Sequence, residues 1–166
     1  MKHLEQMILG TCYGEGQVKR VSFLEPGDFT IKAHAELFRE IKEWRCLIEA
    51  IKKNPNMKNN MVGYSILLGT LNPETFALKL LEYRFQRLLT DLLGQLSKSS
   101  NNALEVAILD EAITKIKTVD IFDLSDYLLE YLGHQASSPT KYRINAFLKY
   151  RNERIATAKK VIDEFR

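Results

Sequence analysis

Between Asn72 and Lys98 the chain repeats leucine at helical intervals over a stretch longer than a loop or a strand sustains. At 100° per residue, Leu78, Leu81, Phe85, Leu88, Leu89, Leu92, Leu93 and Leu96 share an arc of roughly 140°. A second group, Phe76, Leu80 and Tyr83, stands on the opposite side at i, i+4 and i+7. The first half of this helix therefore needs cover on two sides and the second half on one. Asn72-Pro73-Glu74 starts it, with an Asn cap, Pro at the first helical position and an acid in the first turn. Ser99 to Asn102 turns the chain. A helix over 104–118 brings it back, with Ile108, Leu109, Ala112, Ile113 and Ile116 as the matching stripe. Two amphipathic helices joined by a short loop predict an antiparallel helical hairpin.

Helical spacing dominates elsewhere too, and no period-two strand pattern stands out. The expected fold is all-α: a globular helical head over 1–71, a protruding antiparallel hairpin over 72–118, and C-terminal helices over 119–166. In the head, Leu4 to Leu9 reads as a short helix, and Glu25-Pro26-Gly27-Asp28 as a turn. Thr30 is the expected cap of a helix to Trp44, with Ala33, Leu37, Phe38, Ile41 and Trp44 on its apolar face. After Arg45 the pattern admits either a break or a continuation to Ile51. A polar loop over 55–63 and a short apolar helix over 64–71 follow. Past the hairpin, a linker helix is expected over 120–132, then a linker from Gly133 to Pro139. A basic amphipathic helix from Thr140 to Phe165 closes the chain, with Ile144, Phe147, Leu148, Ile155, Ala158, Ile162 and Phe165 inward.

With 45% apolar and 27% charged residues, the chain has the composition of a folded domain. Cys12 and Cys46 are the two cysteines; they could bridge, but two isolated cysteines are more often buried free thiols. No apolar run approaches the roughly 18 residues of a membrane helix, and Glu5 comes too early for a signal peptide. A cytoplasmic protein is expected. Charge is uneven: residues 101–138 carry two bases and seven acids, and residues 139–166 carry eight bases and three acids.

Catalytic patterns are missing. None of the eight glycines precedes a lysine, so no phosphate loop can be built, and Gly10, Gly14 and Gly16 follow no strand. His3, His34 and His134 are scattered without C-x-x-C or H-E-x-x-H, so no metal or other cofactor is expected. His34 is the best placed of them, yet a lone histidine beside apolar residues is usually a packing or hydrogen-bonding residue. Cys46 lacks a neighbouring histidine, and Asp110-Glu111 reads as a solvated face rather than an acid–base pair. In the last helix Lys149, Arg151 and Arg154, set among tyrosines, are the candidates for nucleic-acid contact.

Several segments together resemble the N-terminal domain of DnaB-type replicative DNA helicases. Glu5-Gln6-Met7-Ile8-Leu9-Gly10 is similar to that family's first helix. Phe23-Leu24-Glu25-Pro26-Gly27-Asp28-Phe29, followed by His34 and Leu37-Phe38, resembles its Asp-Phe turn and the His-bearing helix after it. Leu80 to Leu89 resembles the helix with the family's Glu-x-x-x-x-Arg element, here Glu82 and Arg87, and Glu105 to Ile116 resembles the returning hairpin helix. The likeness covers about residues 4–118. Leu47-Ile48-Glu49 and Thr30 depart from the pattern, and residues 119–166 match poorly.

The resemblance implies a non-catalytic interaction and oligomerisation domain, whose hairpins pair between subunits to build a collar that docks primase or a helicase loader. The family's ATPase domain is not in this chain, which is then an excised piece of an ATP-dependent DNA helicase or a stand-alone relative. A homo-oligomer, a dimer or a ring of dimers, is expected, with DNA met only indirectly. The partner-facing residues are expected to be Phe76, Leu80, Tyr83, Arg84, Arg87, Leu88 and Leu92 on the first hairpin helix and Leu109, Ile113 and Ile116 on the second. Two alternatives stand beside this: the helicase-binding C-terminal domain of a bacterial primase, and a small DNA-binding replication accessory or loader protein.

Overall fold

The computed structural model describes residues 1–56, 72–118 and 137–166. Among them the protein is all-α, with seven α-helices, a short 3-10 turn and no strand. The helices are α1 Lys2–Thr11, α2 Glu15–Arg20, α3 Lys32–Trp44, α4 Leu47–Lys53, α5 Pro73–Ser99, α6 Ala103–Ile116 and α7 Ser138–Glu164, and the 3-10 turn is Pro26–Asp28. The helices expected over 64–71 and 120–132, most of the loop over 55–63 and the linker over 133–136 lie outside the described residues. Two compact units form, Met1–Leu81 with Ile155–Arg166, and Glu82–Arg154. Their boundaries fall inside α5 and α7.

In the first unit α3 packs against α1, α4 and the 3-10 turn. His34, Leu37, Phe38 and Ile41, spaced i, i+3, i+4, i+7, are its buried face. Ala33 and Trp44 are exposed, against expectation. Trp44 lies in the last turn, where its indole N–H donates to Glu40 at 3.3 Å and the Lys53 ammonium sits 5.0 Å over the ring. The N-terminus of α5 follows the expected design, since Asn72 Oδ1 accepts the Glu74 N–H at 3.2 Å. Arg20 of α2 reaches this point, pairing with Glu74 at 2.5 Å and lying 5.9 Å from the Phe165 ring.

The open question after Arg45 resolves as a break. Arg45 adopts φ 55 and ψ 20, the one positive φ at a non-glycine among the described residues. Contacts on either side of the kink explain it. The Leu47 N–H donates to Cys12 O at 2.7 Å, and the Cys46 thiol donates to Tyr13 O at 3.0 Å. These bonds tie the start of α4 to the end of α1, and the chain must swing left-handed at Arg45 to make them.

Among the described residues, the core of the second unit comes from three helices. Phe85, Leu89, Leu93 and Leu96 of α5, Leu109, Ala112 and Ile116 of α6, and Ile144, Phe147 and Leu148 of α7 are buried. Phe85 meets Phe147 and Tyr150 edge-on at 6.4 and 6.2 Å. Ten residues further along α5, Gln95 Oε1 accepts from Arg143 at 3.0 Å. Rising numbers on α5 meet falling numbers on α7, so the two helices run antiparallel. Beyond the 100–102 turn, the Ser97 hydroxyl donates to Asp110 of α6 at 2.7 Å.

A left-handed residue with a side chain costs about 1–2 kcal/mol relative to glycine, while glycine loosens the unfolded chain by somewhat less. The exposed Arg45–Glu15 pair adds little. Arg45→Gly should therefore leave stability unchanged or raise it by up to about 1 kcal/mol, whereas Arg45→Val should lower it by about 1–2 kcal/mol. Urea midpoints at constant slope measure both.

Candidate functional site

The segments of the family resemblance in the head converge on one buried carboxylate. Glu5 of α1 is wholly buried. It accepts the Thr30 N–H at 2.5 Å, the Thr30 hydroxyl, and the Ile31 N–H at 3.3 Å, and it lies 2.7 Å from His34 Nδ1. A helix leaves its first N–H groups without intrahelical partners, and a negative charge there also meets the favourable end of the helix dipole. Glu5 thus caps the approach to α3 from another helix. Thr30 is not itself the cap, because its own N–H and hydroxyl are spent on Glu5 and the helix begins at Lys32.

The other members of the block have comparable duties. Asp28 Oδ2 accepts the Glu25 N–H at 2.8 Å, closing the 3-10 turn. Phe29 packs on Phe38 with ring centroids 4.8 Å apart. The spacing Asp28…Phe29…His34…Phe38 is therefore a folding device: one side chain sets the turn, two make a ring pair, and His34 binds the capping carboxylate.

The expected partner-facing residues divide by burial. Leu80, Leu109 and Ile116 are buried and serve the chain's own interior. Phe76, Arg84, Arg87, Leu88, Leu92 and Ile113 are half-buried, and Tyr83 is 38% exposed. In the second unit Leu104, 60% exposed near the start of α6, and Tyr142, 77% exposed on α7, add apolar surface that helical periodicity did not single out. Leu104 begins the 104–118 stretch and lies in the first turn of α6, at the edge of the stripe rather than within it.

The basic cluster on α7 is divided as well. Lys149 is exposed, but Arg151 and Arg154 are buried at 3% and 8% exposure. Arg154 donates to the Tyr150 hydroxyl at 2.8 Å, and Arg151 to its neighbour Asn152 at 2.9 Å. Two of the three residues expected to meet nucleic acid are thus committed to the interior. Their long stems explain this, since apolar methylenes can cover a core while the head finds a polar partner.

A second capping carboxylate was missed in the sequence. Glu105 of α6 accepts from the Ser100 hydroxyl at 2.6 Å, the Ser137 hydroxyl at 2.9 Å and the Ser137 N–H at 3.1 Å. Hydrogen bonds from Ser100, then Thr140, then Ser137 outweigh the effect of burial and hold its carboxyl at about 2. Asn102 accepts the Leu104 and Glu105 N–H groups at 3.0 and 3.3 Å, so Asn102-Ala103-Leu104-Glu105 carries a legible cap-plus-acid signal. The groove around it, about 510 Å³, is lined by Leu96, Asn101, Pro139 and Arg143 besides these hydroxyls. Both carboxylate oxygens already have donors within the chain.

Both cysteines are free thiols. Burial pushes Cys12 up to about 12, which leaves it a neutral packing group, and Cys46 is half-buried. Among the described residues no cluster of His, Cys, Asp and Glu is arranged to hold a metal ion, and no helix is long and apolar enough to cross a membrane. Comparison with family models, with curated proteins and with solved structures finds no match to the chain.

Two stability tests follow from the paired carboxylates. Glu5→Ala strands the Thr30 and Ile31 N–H groups and His34 in a buried place, and should cost about 2–4 kcal/mol by urea unfolding. Glu105→Gln should cost about 1–3 kcal/mol at pH 7. Because the folded Glu105 carboxyl lies below its unfolded value of 4.5, its contribution is present above that pH and is lost as pH falls towards 2. The stability gap between wild type and Glu105→Gln should accordingly narrow between pH 5 and pH 2.

Proposed function

We propose that this chain is a non-catalytic protein–protein interaction and oligomerisation domain of the replicative-helicase N-terminal type. In that role it would assemble as a dimer or a ring of dimers and dock primase or a helicase loader, meeting DNA only through its partners. The observation that carries the reading is the incompletely covered apolar surface of α5 and α6 in the second unit. Leu88, Leu92 and Ile113 are left half-buried, and Tyr83 and Leu104 are exposed, although α7 lies antiparallel along α5. Apolar side chains at this level of exposure along one helix pair are what a self-associating or partner-binding surface requires. The protruding hairpin belongs to this proposal too.

The junction on Glu5 lends support from the head. The residues that resemble the helicase family there are brought together in space and have interlocking physical roles, which is what a shared fold would demand of them. The burial of Arg151 and Arg154 weighs against direct DNA binding through α7.

Light scattering on the purified chain at tens of micromolar should give a dimer or larger species, and immobilised chain should retain the C-terminal region of a primase. A monomer at that concentration that retains no such region sinks the proposal. Retention of a helicase collar instead would transfer the chain to the primase side of the same contact.

A further inference from the structure

On one face of α5 in the second unit, three charged side chains have no partner among the described residues. Among the described residues Arg84 has no hydrogen-bond or ion-pair partner, and its Nε is buried without an acceptor. Arg87, half-buried, and Asp91, exposed, also have no partner among the described residues. Arg87 and Asp91 stand i, i+4, where a bond between them would be geometrically easy. Leu88 and Leu92, both half-buried, continue the same face. Half-buried leucines flanked by charges of both signs suit an occupant that supplies carboxylate as well as apolar surface.

We propose that this occupant is a second copy of the chain, its α5 crossing antiparallel about the Arg87–Leu88 midpoint so that Arg84 of each copy pairs with Asp91 of the other. The proposal rests on the oligomeric reading above and gives it a register. Arg84 and Asp91 are seven residues apart, two helical turns or about 10 Å, and fall within about 20° of each other around the axis. In an isologous antiparallel contact centred midway between them, each position 84 necessarily faces a position 91. The face is thus self-complementary in charge, and Leu88 lies at the centre with Leu92 beside it. The same register brings the two copies of Arg87 near the symmetry axis, a like-charge contact within an otherwise attractive interface. An acidic partner protein would behave differently, since both arginines would attract it.

Sedimentation of the full chain over a range of concentrations tests this. Arg84→Asp and Asp91→Arg should each weaken self-association by about tenfold or more, and the double swap Arg84→Asp/Asp91→Arg should restore it to within about threefold of wild type. Arg84→Gln, a milder change with less risk to folding, should weaken association in the same direction. Arg87→Gln should leave association unchanged or tighten it. A wild-type dimer indifferent to the single changes, or a double swap as weak as either single, overturns this register while the oligomeric reading stands. Weakening by Arg87→Gln equal to that by Arg84→Gln overturns it in favour of an acidic surface elsewhere as the arginines' target. A wild-type chain that stays monomeric removes both.

Discussion

The burial of the Glu5 carboxylate is the contact on which the first unit turns. Its oxygens gather the Thr30 and Ile31 N–H groups, the Thr30 hydroxyl and the His34 ring, and so fix how α1 meets the entry to α3. With that angle set, Leu37, Phe38 and Ile41 point inward, and Phe38 receives Phe29 from the turn that Asp28 closes. The hydrophobic core supplies most of the favourable free energy, as in any domain of this size. It does not by itself choose one orientation among the several that would bury similar area. A saturated buried carboxylate does choose, because a misplaced α3 would strand a charge and its donors away from water.

The second unit solves the same problem by the same means. Glu105 joins the turn after α5, the first turn of α6 and the start of α7 through hydroxyls and one backbone N–H. Both carboxylates stand where helix N-termini present unpaired donors, and both link segments distant in sequence. Because those hydrogen bonds hold the Glu105 carboxyl low, its contribution to stability is lost progressively in acid.

Elements set by neighbours in sequence were legible before the structure. The leucine spacing of α5, its Asn72-Pro73-Glu74 start and the turn before α6 depend on residues a few positions apart, and all three appear as expected. What depends on distant partners was not legible. Glu5 sits 25 positions from Thr30, so nothing near it marks it as a cap. The Arg45 break is imposed by Cys12 and Tyr13, over thirty residues upstream. Arg151 and Arg154 read as a surface cluster because charge normally means solvent. They are nonetheless buried, which the charge pattern of α7 alone does not announce. For the candidate surface, periodicity found the right helices but not the right side chains, since Leu80, Leu109 and Ile116 carry the same pattern as their half-exposed neighbours.

The charges on α5 bear on which state of the molecule its sequence suits. A helix destined for solvent gains a little from acid placed four residues before base, and the opposite order gains less. Arg87 and Asp91 follow the less favourable order and form no bridge among the described residues, while other surface pairs close, as Lys19 does with Glu15, Lys115 with Glu111 and, base first, Lys32 with Glu36 at 3.9 Å. The chain therefore can build i, i+4 bridges, acid first on α2 and α6 and base first on α3. On the face of α5 that carries the half-buried Leu88 and Leu92, the proposed register would pair these charges between two helices running opposite ways. Unpaired charge flanking incompletely buried leucine is poor design for a monomer and ordinary design for one half of an interface.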